Sequence, residues 1–292
     1  MKAPAANLQR LRCVRHVALD MDGTIYSGAT LFSFTKPFLA TLDDLGIGHT
    51  FLTNNSSKSV RDYLAHLRSF GIEVSAEQVY TSTHATIAYL RAMLPLARRL
   101  FVLGTQSMAD ELSAAGYEVL KSMPGDRDGV PDALVVGFDT AMTYPRLCAA
   151  AWWASRGVPY VASHPDVYCP TDQPTVLVDC GAICAAIASS TGRQPDAVVG
   201  KPDPYMLHSL AKRLCLRPDE LLMAGDRLQT DVAMARRAGA MGVLVLTGDS
   251  TAEQARLAAE APDLTLPTLA ELGAMLVQSR KRSVEPAEAL PS

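Results

Sequence analysis

Four short runs in the 292-residue sequence combine side chains that bind metals, anions or protons. The first, Asp20-Met21-Asp22-Gly23-Thr24, places two carboxylates at alternate positions. Alternate residues of an extended strand face the same way, so Asp20 and Asp22 share a site unless the chain turns at Gly23. Two carboxylates ~4 Å apart repel by roughly 4 kcal/mol at an effective dielectric near 20, and a divalent cation, a shared proton or wide solvent exposure must offset that. An exposed acidic turn is the plainer reading of this run by itself. The second run, Thr53-Asn54-Asn55-Ser56-Ser57, lies between a strand pattern and a helix pattern. Free N–H groups and the dipole at a helix start favour an anion there, although ordinary capping by Ser or Asn explains the same residues. In the third, Gly200-Lys201-Pro202-Asp203-Pro204, two prolines brace a lysine that alone would read as a surface charge. The fourth, Gly225 to Asp231, sets Asp226 at a strand end and Asp231 in the first turn of the next helix. An acid in a first helical turn is stabilising without any ligand, so Asp226 carries more of the signal.

Taken together, these runs point to one chemistry. Hard oxygen donors from Asp20 and Asp226 suit Mg²⁺, which prefers carboxylates, phosphate and water to a closed protein cage. No cysteine–histidine spacing suggests zinc. Asp20, Asp22, Asp226 and Asp231 contribute −4 when ionised and Lys201 contributes +1, a balance of −3 that repels a phosphate dianion. Mg²⁺ brings the balance to −1, and a proton on Asp22 brings it to zero.

The composition narrows the partners. Apolar residues make up 48% and charged residues 20%, the balance of a folded globular chain. The net charge of −3, without a long basic run, gives no reason to expect nucleic acid or an anionic membrane surface as partner. No apolar run approaches the 18 or so residues of a membrane span. Six scattered cysteines, none in a CxxC pair, fit free thiols in a reducing cytoplasm.

The elements that must position these runs alternate between strand and helix. Strands are expected at 16–19, 49–52, 221–224 and 242–246, and helices at 36–45, 57–70 and 229–238. Short strand–helix connections imply right-handed crossovers and a mostly parallel sheet, with its ligand crevice beyond the carboxyl ends of the strands. A middle segment has strands at 100–103, 133–136 and 160–162 and helices at 106–115 and 144–155. Two Pro/Gly-rich loops interrupt it, at 123–131 and 164–174. From Val277 on, Arg, Lys, Glu, Pro and Ala dominate, and no ordered structure is expected there.

In order and spacing the four runs resemble the haloacid dehalogenase-like superfamily, in its phosphatase branch. Subfamily IIA is the best match; it contains nitrophenyl, phosphoglycolate and pyridoxal phosphatases and bacterial nucleotidases. The resemblance covers about 14–276. It implies an α/β fold: a Rossmann-like, mostly parallel sheet core made of 1–83 and 181–276, an inserted α/β cap at 84–180, and a tail at 277–292. It also implies hydrolysis of a small phosphate monoester, with Asp20 as nucleophile and Asp22 as general acid and base. Mg²⁺ would be held by Asp20, the main-chain carbonyl of Asp22 and Asp226, with Asp231 in support. Thr53, Asn54, Asn55 and Lys201 would bind the phosphoryl oxygens. Where relatives often carry a Thr-Asn-Pro-Asp-like cap segment, this chain reads Ser163-His164-Pro165-Asp166, then Val167-Tyr168-Cys169. The resemblance makes this loop a substrate-facing lid, with His164, Asp166, Tyr168 and Cys169 setting specificity. A homodimer through the cap is a further implication. A signalling receiver domain fails on size and motif order. A phosphoryl-transferring mutase stays as the alternative, although mutases usually insert a smaller cap just after the first motif.

Overall fold

A computed structural model describes residues 5–120, 129–169 and 174–281. The chain divides into two compact units, Met1–Phe51 with Ala211–Ser292, and Leu52–Leu210; the second contains all of 84–180.

The strands expected in the first unit are present as His16–Leu19, Gly48–Thr53, Leu221–Gly225 and Met241–Val245, with Leu264–Leu266 added. Their spatial order is Leu264–Leu266, Met241–Val245, Leu221–Gly225, His16–Leu19, Gly48–Thr53, and every pairing among them is parallel. All residues of His16–Leu19, Leu221–Gly225 and Met241–Val245 are buried, as befits parallel strands covered on both faces. From His16–Leu19 the chain adds Gly48–Thr53 on one side and later Leu221–Gly225 on the other. The order therefore reverses between His16–Leu19 and Leu221–Gly225, the kind of switch point where α/β sheets bind ligands. Asp20 and Asp226 are the first residues past those two strand ends.

Two local expectations in the first unit need correction. The helix expected at 229–238 is a π-helical turn, Leu228–Val232, followed by Ala233–Ala238. The wider turn accompanies the Asp231 carboxylate, which accepts the Arg227 N–H at 3.2 Å; such bulges recur at functional sites. The tail does not begin at Val277, because the helix Leu269–Lys281 runs through it. Leu276 is buried, and the Arg280 guanidinium donates to the Val14 carbonyl at 2.7 Å, so this turn is anchored to the domain. That helix packs on Thr35–Asp44 and Ala5–Cys13. Gly273 permits the approach, since a Cβ there would stand 3.3 Å from the Phe38 ring. Residues 282–292 lie outside the described residues.

The second unit holds its own sheet, in the order Ala197–Val198, Tyr160–Ala162, Ala133–Val136, Arg99–Leu103, Glu118–Leu120, all parallel. The helices Tyr144–Ser155 and Cys180–Thr191 pack on it through Ala150, Trp153, Ile183 and Ile187, against Phe101, Leu134 and Tyr160. The helix expected at 57–70 begins later, as Val60–Ser69. Ser57 instead turns back on Asn55, and Ser59 caps the helix with Asp62. An antiparallel pair, Tyr168–Cys169 with Leu177–Val178, occupies part of the expected lid. Residues 170–173 of that lid, and 123–128 of the other loop, lie outside the described residues. Among the described residues no helix is long and apolar enough to cross a membrane. The α/β class with mostly parallel sheets is as the sequence implies.

Burial makes one strand residue sensitive to pH. His16 is 7% exposed, and its Nε2 lies 2.9 Å from the Thr50 hydroxyl. Burial, with His49 and Arg213 nearby, lowers its pKa from 6.5 to about 4. Between these values the unfolded chain binds the proton and the folded chain does not, so stability falls as pH drops from 6.5 towards 4. The contribution is on the order of 3 kcal/mol. His49, also lowered by burial, acts in the same direction. Urea melts of wild type and His16→Leu should show a stability difference that shifts in favour of the variant across this window. A difference independent of pH would refute it.

Candidate active site

The first unit brings three carboxylates together. Oxygens of Asp20, Asp226 and Asp231 lie within 4.8 Å of one another. Asp20 is 9% exposed, Asp226 3% and Asp231 1%. The Asp20 N–H donates to the Ala224 carbonyl at 2.9 Å, extending the ladder by one bond and aligning the strand ends. Asp226 Oδ2 accepts the Asp249 N–H at 2.8 Å, and the Asp226 carbonyl accepts the Ser250 N–H at 3.1 Å. Glycine is required around this cluster. At Gly23, where φ is +80°, a Cβ would sit 2.5 Å from Asp226 Oδ2. At Gly225 and Gly248 it would collide with Asp231 and Asp226.

Asp22 stands apart from this cluster. The chain turns at Gly23, whose N–H donates to the Tyr26 carbonyl at 2.8 Å. The Asp22 side chain is exposed and accepts a long bond, 3.4 Å, from the Gly28 N–H. Strand alternation therefore does not carry past Leu19, and the carboxylate that joins Asp20 is Asp231. Motif reading also left out Arg227. Burial opposes its charge, but Asp226, Asp20, Asp231 and Asp249 outweigh that and raise its pKa. Three carboxylates and this guanidinium leave −2, which a divalent cation neutralises. The donors are all hard oxygens, without cysteine or histidine, so the cluster fits Mg²⁺ better than zinc.

The second unit carries the residues expected to bind phosphoryl oxygens. Thr53 ends its strand 9% exposed, and its hydroxyl accepts the Asn55 N–H at 3.2 Å. Asn54 is a clamp: its amide donates to the Lys201 carbonyl at 2.9 Å and accepts the Lys201 N–H at 2.8 Å. The same nitrogen donates to Asp166 Oδ2 at 3.0 Å. With its side chain so engaged, Asn54 offers a ligand only its main chain. Asn55 folds its Oδ1 onto the Ser57 N–H and hydroxyl, at 2.9 and 2.7 Å. Lys201 is 4% exposed, an unusual depth for an ammonium and a sign of a built environment.

The lid residues divide. Tyr168 is 53% exposed, Cys169 is half-buried, and Asp166 is half-buried against Asn54. His164 does not face solvent: it is fully buried, with Nδ1 2.8 Å from the Ser163 hydroxyl and Nε2 2.8 Å from Asp179 Oδ1. Burial works against a charged ring, but the hydrogen bond and charge of Asp179, with Asp166 nearby, outweigh it and hold its pKa up. The expectation that His164 reads the substrate is corrected accordingly. Asp179 is legible in sequence only as the cap of the helix Cys180–Thr191; nothing local signals its histidine partner.

The chain is similar to known proteins. A family model described as haloacid dehalogenase-like hydrolase matches residues 17–118, and a second HAD-hydrolase-like model matches 198–272. An acid sugar phosphatase of Staphylococcus aureus is 33% identical over 235 residues, covering 80% of this chain and 87% of that protein. The structure of a 4-nitrophenylphosphatase from Thermotoga maritima superposes with a TM-score of 0.84 at 36% identity, covering 91% of this chain and 98% of that one. NagD from Escherichia coli K-12 gives 0.79 at 27%, over 88% and 98%. With the acidic cluster at the switch point and relatives of this similarity over most of its length, the chain belongs to the haloacid dehalogenase-like hydrolases, in the phosphatase branch of subfamily IIA.

Proposed function

We propose that this phosphatase is Mg²⁺-dependent and hydrolyses a small phosphate monoester through an aspartyl-phosphate on Asp20. The observation that carries the reading is the buried trio Asp20, Asp226 and Asp231 at the sheet's switch point. Asp20 Oδ attacks phosphorus and displaces the alkoxide. Asp22, exposed beside the turn at Gly23, protonates that alkoxide and then takes a proton from the water that opens the aspartyl-phosphate. Its solvent exposure suits a group that must exchange protons in both half-reactions. Thr53, the main chain of Asn54 and Asn55, and Lys201 are assigned to the phosphoryl oxygens, where fixed donors stabilise the spread of charge in the transition state. Asp20, Asp226 and the Asp22 carbonyl would hold the metal, supported by Asp231. When bound, Mg²⁺ neutralises the carboxylates and polarises the phosphoryl group.

Residues 84–180 are assigned as the inserted cap, with Asp166, Tyr168 and Cys169 as the side chains that distinguish leaving groups, and 1–83 and 181–276 as the core, although 181–198 packs on the cap's own sheet through the helix Cys180–Thr191 and the strand Ala197–Val198. The relatives' names make a sugar phosphate the first ester to test, with nucleotide, glycolate and pyridoxal phosphates beside it. The six cysteines, all free thiols, suit a reducing cytoplasm. A homodimer through the cap is part of the same reading.

Two measurements test the chemistry. Asp20→Asn, nearly isosteric, should keep the fold and lose all but a few per cent of turnover, and Asp22→Asn should lose about 10²–10⁴-fold. Substantial activity in Asp20→Asn would eliminate the covalent route. Chelation should abolish released phosphate, Mg²⁺ should restore it, and Ca²⁺ should support it poorly because it takes more ligands in looser geometry. Full activity in excess EDTA, or equal rates with Ca²⁺, would show that the carboxylate trio has been misread.

A further inference from the structure

The SHPD segment leaves a buried ionic pair without an assigned task. We propose that His164 and Asp179 form a positioning pair that sets the 53–57 loop and the Gly200–Lys201 segment, touching no substrate. The proposal rests on the phosphatase reading above. Asp179 Oδ1 accepts both the Cys180 N–H, at 2.6 Å, and His164 Nε2–H, at 2.8 Å, so the helix start and the imidazole share one oxygen. Two backbone bonds reinforce that junction: Gly181 N–H to the Asp166 carbonyl at 2.8 Å and Asp179 N–H to the Val167 carbonyl at 3.1 Å.

From the other ring nitrogen the connection runs inward. Nδ1 lies 2.8 Å from the Ser163 hydroxyl, and Ser163 lies 3.4 Å from the Ser56 hydroxyl, which accepts the Phe138 N–H at 3.0 Å. The donors run consistently in one direction. Ser163 O–H points to Cys180 Sγ at 3.8 Å, and the Cys180 thiol points to the Val136 carbonyl at 3.3 Å. Ser163 Oγ is thereby left to accept from Ser56 O–H and from Nδ1–H. His164 also bears directly on the lysine segment. A Cβ at Gly200 would lie 2.6 Å from His164 Cβ and 2.7 Å from Asn54 Oδ1, so the residue before Lys201 rests on His164 and on the Asn54 clamp. Moving the imidazole would shift Ser56 through Ser163, and a backbone shift at 163–164 would reach Gly200, where a Cβ would also lie 2.6 Å from the Ser163 carbonyl. Both effects fall on the loop and lysine segment assigned to phosphate rather than on a leaving-group contact.

The same trio, His164, Asp166 and Asp179, has ligand atoms within 4.8 Å of one another. Both imidazole nitrogens and an oxygen of each carboxylate already have protein partners, which favours a relay over a metal site.

The experiment compares wild type, His164→Leu, His164→Gln and Asp179→Asn, each scored per folded molecule. The readouts are kcat and KM for 4-nitrophenyl phosphate and for a bulkier sugar phosphate, and the inhibition constant of inorganic phosphate. His164→Leu should lower kcat/KM about tenfold or more, by the same factor for both esters, and weaken inhibition by phosphate about tenfold. His164→Gln, whose amide keeps an N–H for Asp179 Oδ1, should recover to within about threefold. A merely structural histidine would lower melting temperature yet leave the phosphate constant unchanged in folded protein, and that result would overturn the proposal. A loss confined to the bulky ester would overturn it too, by making the ring a specificity residue. Stoichiometric Zn²⁺ uptake by wild type that His164→Leu lacks would replace it with a metal site. If His164→Leu does not fold, Asp179→Asn decides, with at least threefold weaker phosphate inhibition expected and no change overturning. Wild type whose hydrolysis does not depend on Asp20 would instead count against the phosphatase reading.

Discussion

The mutual repulsion of three buried carboxylates is the constraint on which the first unit depends. Asp20, Asp226 and Asp231 lie within 4.8 Å of one another and are buried from solvent, and each pair costs several kcal/mol at any realistic interior dielectric. The parallel ladder holds Asp20 and Asp226 at adjacent strand ends and leaves neither free to swing away. Backbone N–H groups from Asp249 and Arg227 take up part of the charge, and the Arg227 guanidinium takes up more. Gly23, Gly225 and Gly248 are the spatial counterpart: each lies where any side chain would strike a carboxylate. A fold that concentrates negative charge so closely is organised to bind a cation.

In the second unit a single amide has the corresponding role. Asn54 binds both backbone groups of Lys201 and the Asp166 carboxylate, fixing a lysine segment 147 positions away in sequence from the loop. Its side chain is used for architecture, which leaves main-chain groups for ligand recognition. Asn55 and Ser57 close the same loop on itself. The polar residues of this run act as scaffold as much as ligand, so ordinary capping chemistry and anion binding are complementary readings of it.

The short strands and the site's side-chain partners were the least legible parts. Glu118–Leu120, Ala197–Val198 and Leu264–Leu266 have two or three residues each, too few to show a period against their flanks. The later start of Val60–Ser69 turned on competition between Asn55 and Ser59 for the helix start, which only the hydrogen bonds resolve. Arg227 follows an aspartate already marked as a ligand, yet a motif read for donors passes over a neighbouring cation. Asp179 caps the helix Cys180–Thr191; that the same oxygen also holds His164 cannot be read from local spacing.

The sequence by itself determined what is local or periodic: alternation of apolar strands with helices, the turns that end them, and the identity and order of the acidic, hydroxyl and lysine runs. These follow from backbone sterics, side-chain period and capping, which act over a few residues. Only the tertiary structure decided which carboxylates meet, that Asp22 leaves the cluster at the Gly23 turn, and that His164 is buried on Asp179 instead of facing a ligand. The reason is that convergence depends on strand order and on close approach of distant backbones. Asp231 reaches its place through a π-helical turn against a glycine, and no periodicity in the chain encodes that contact.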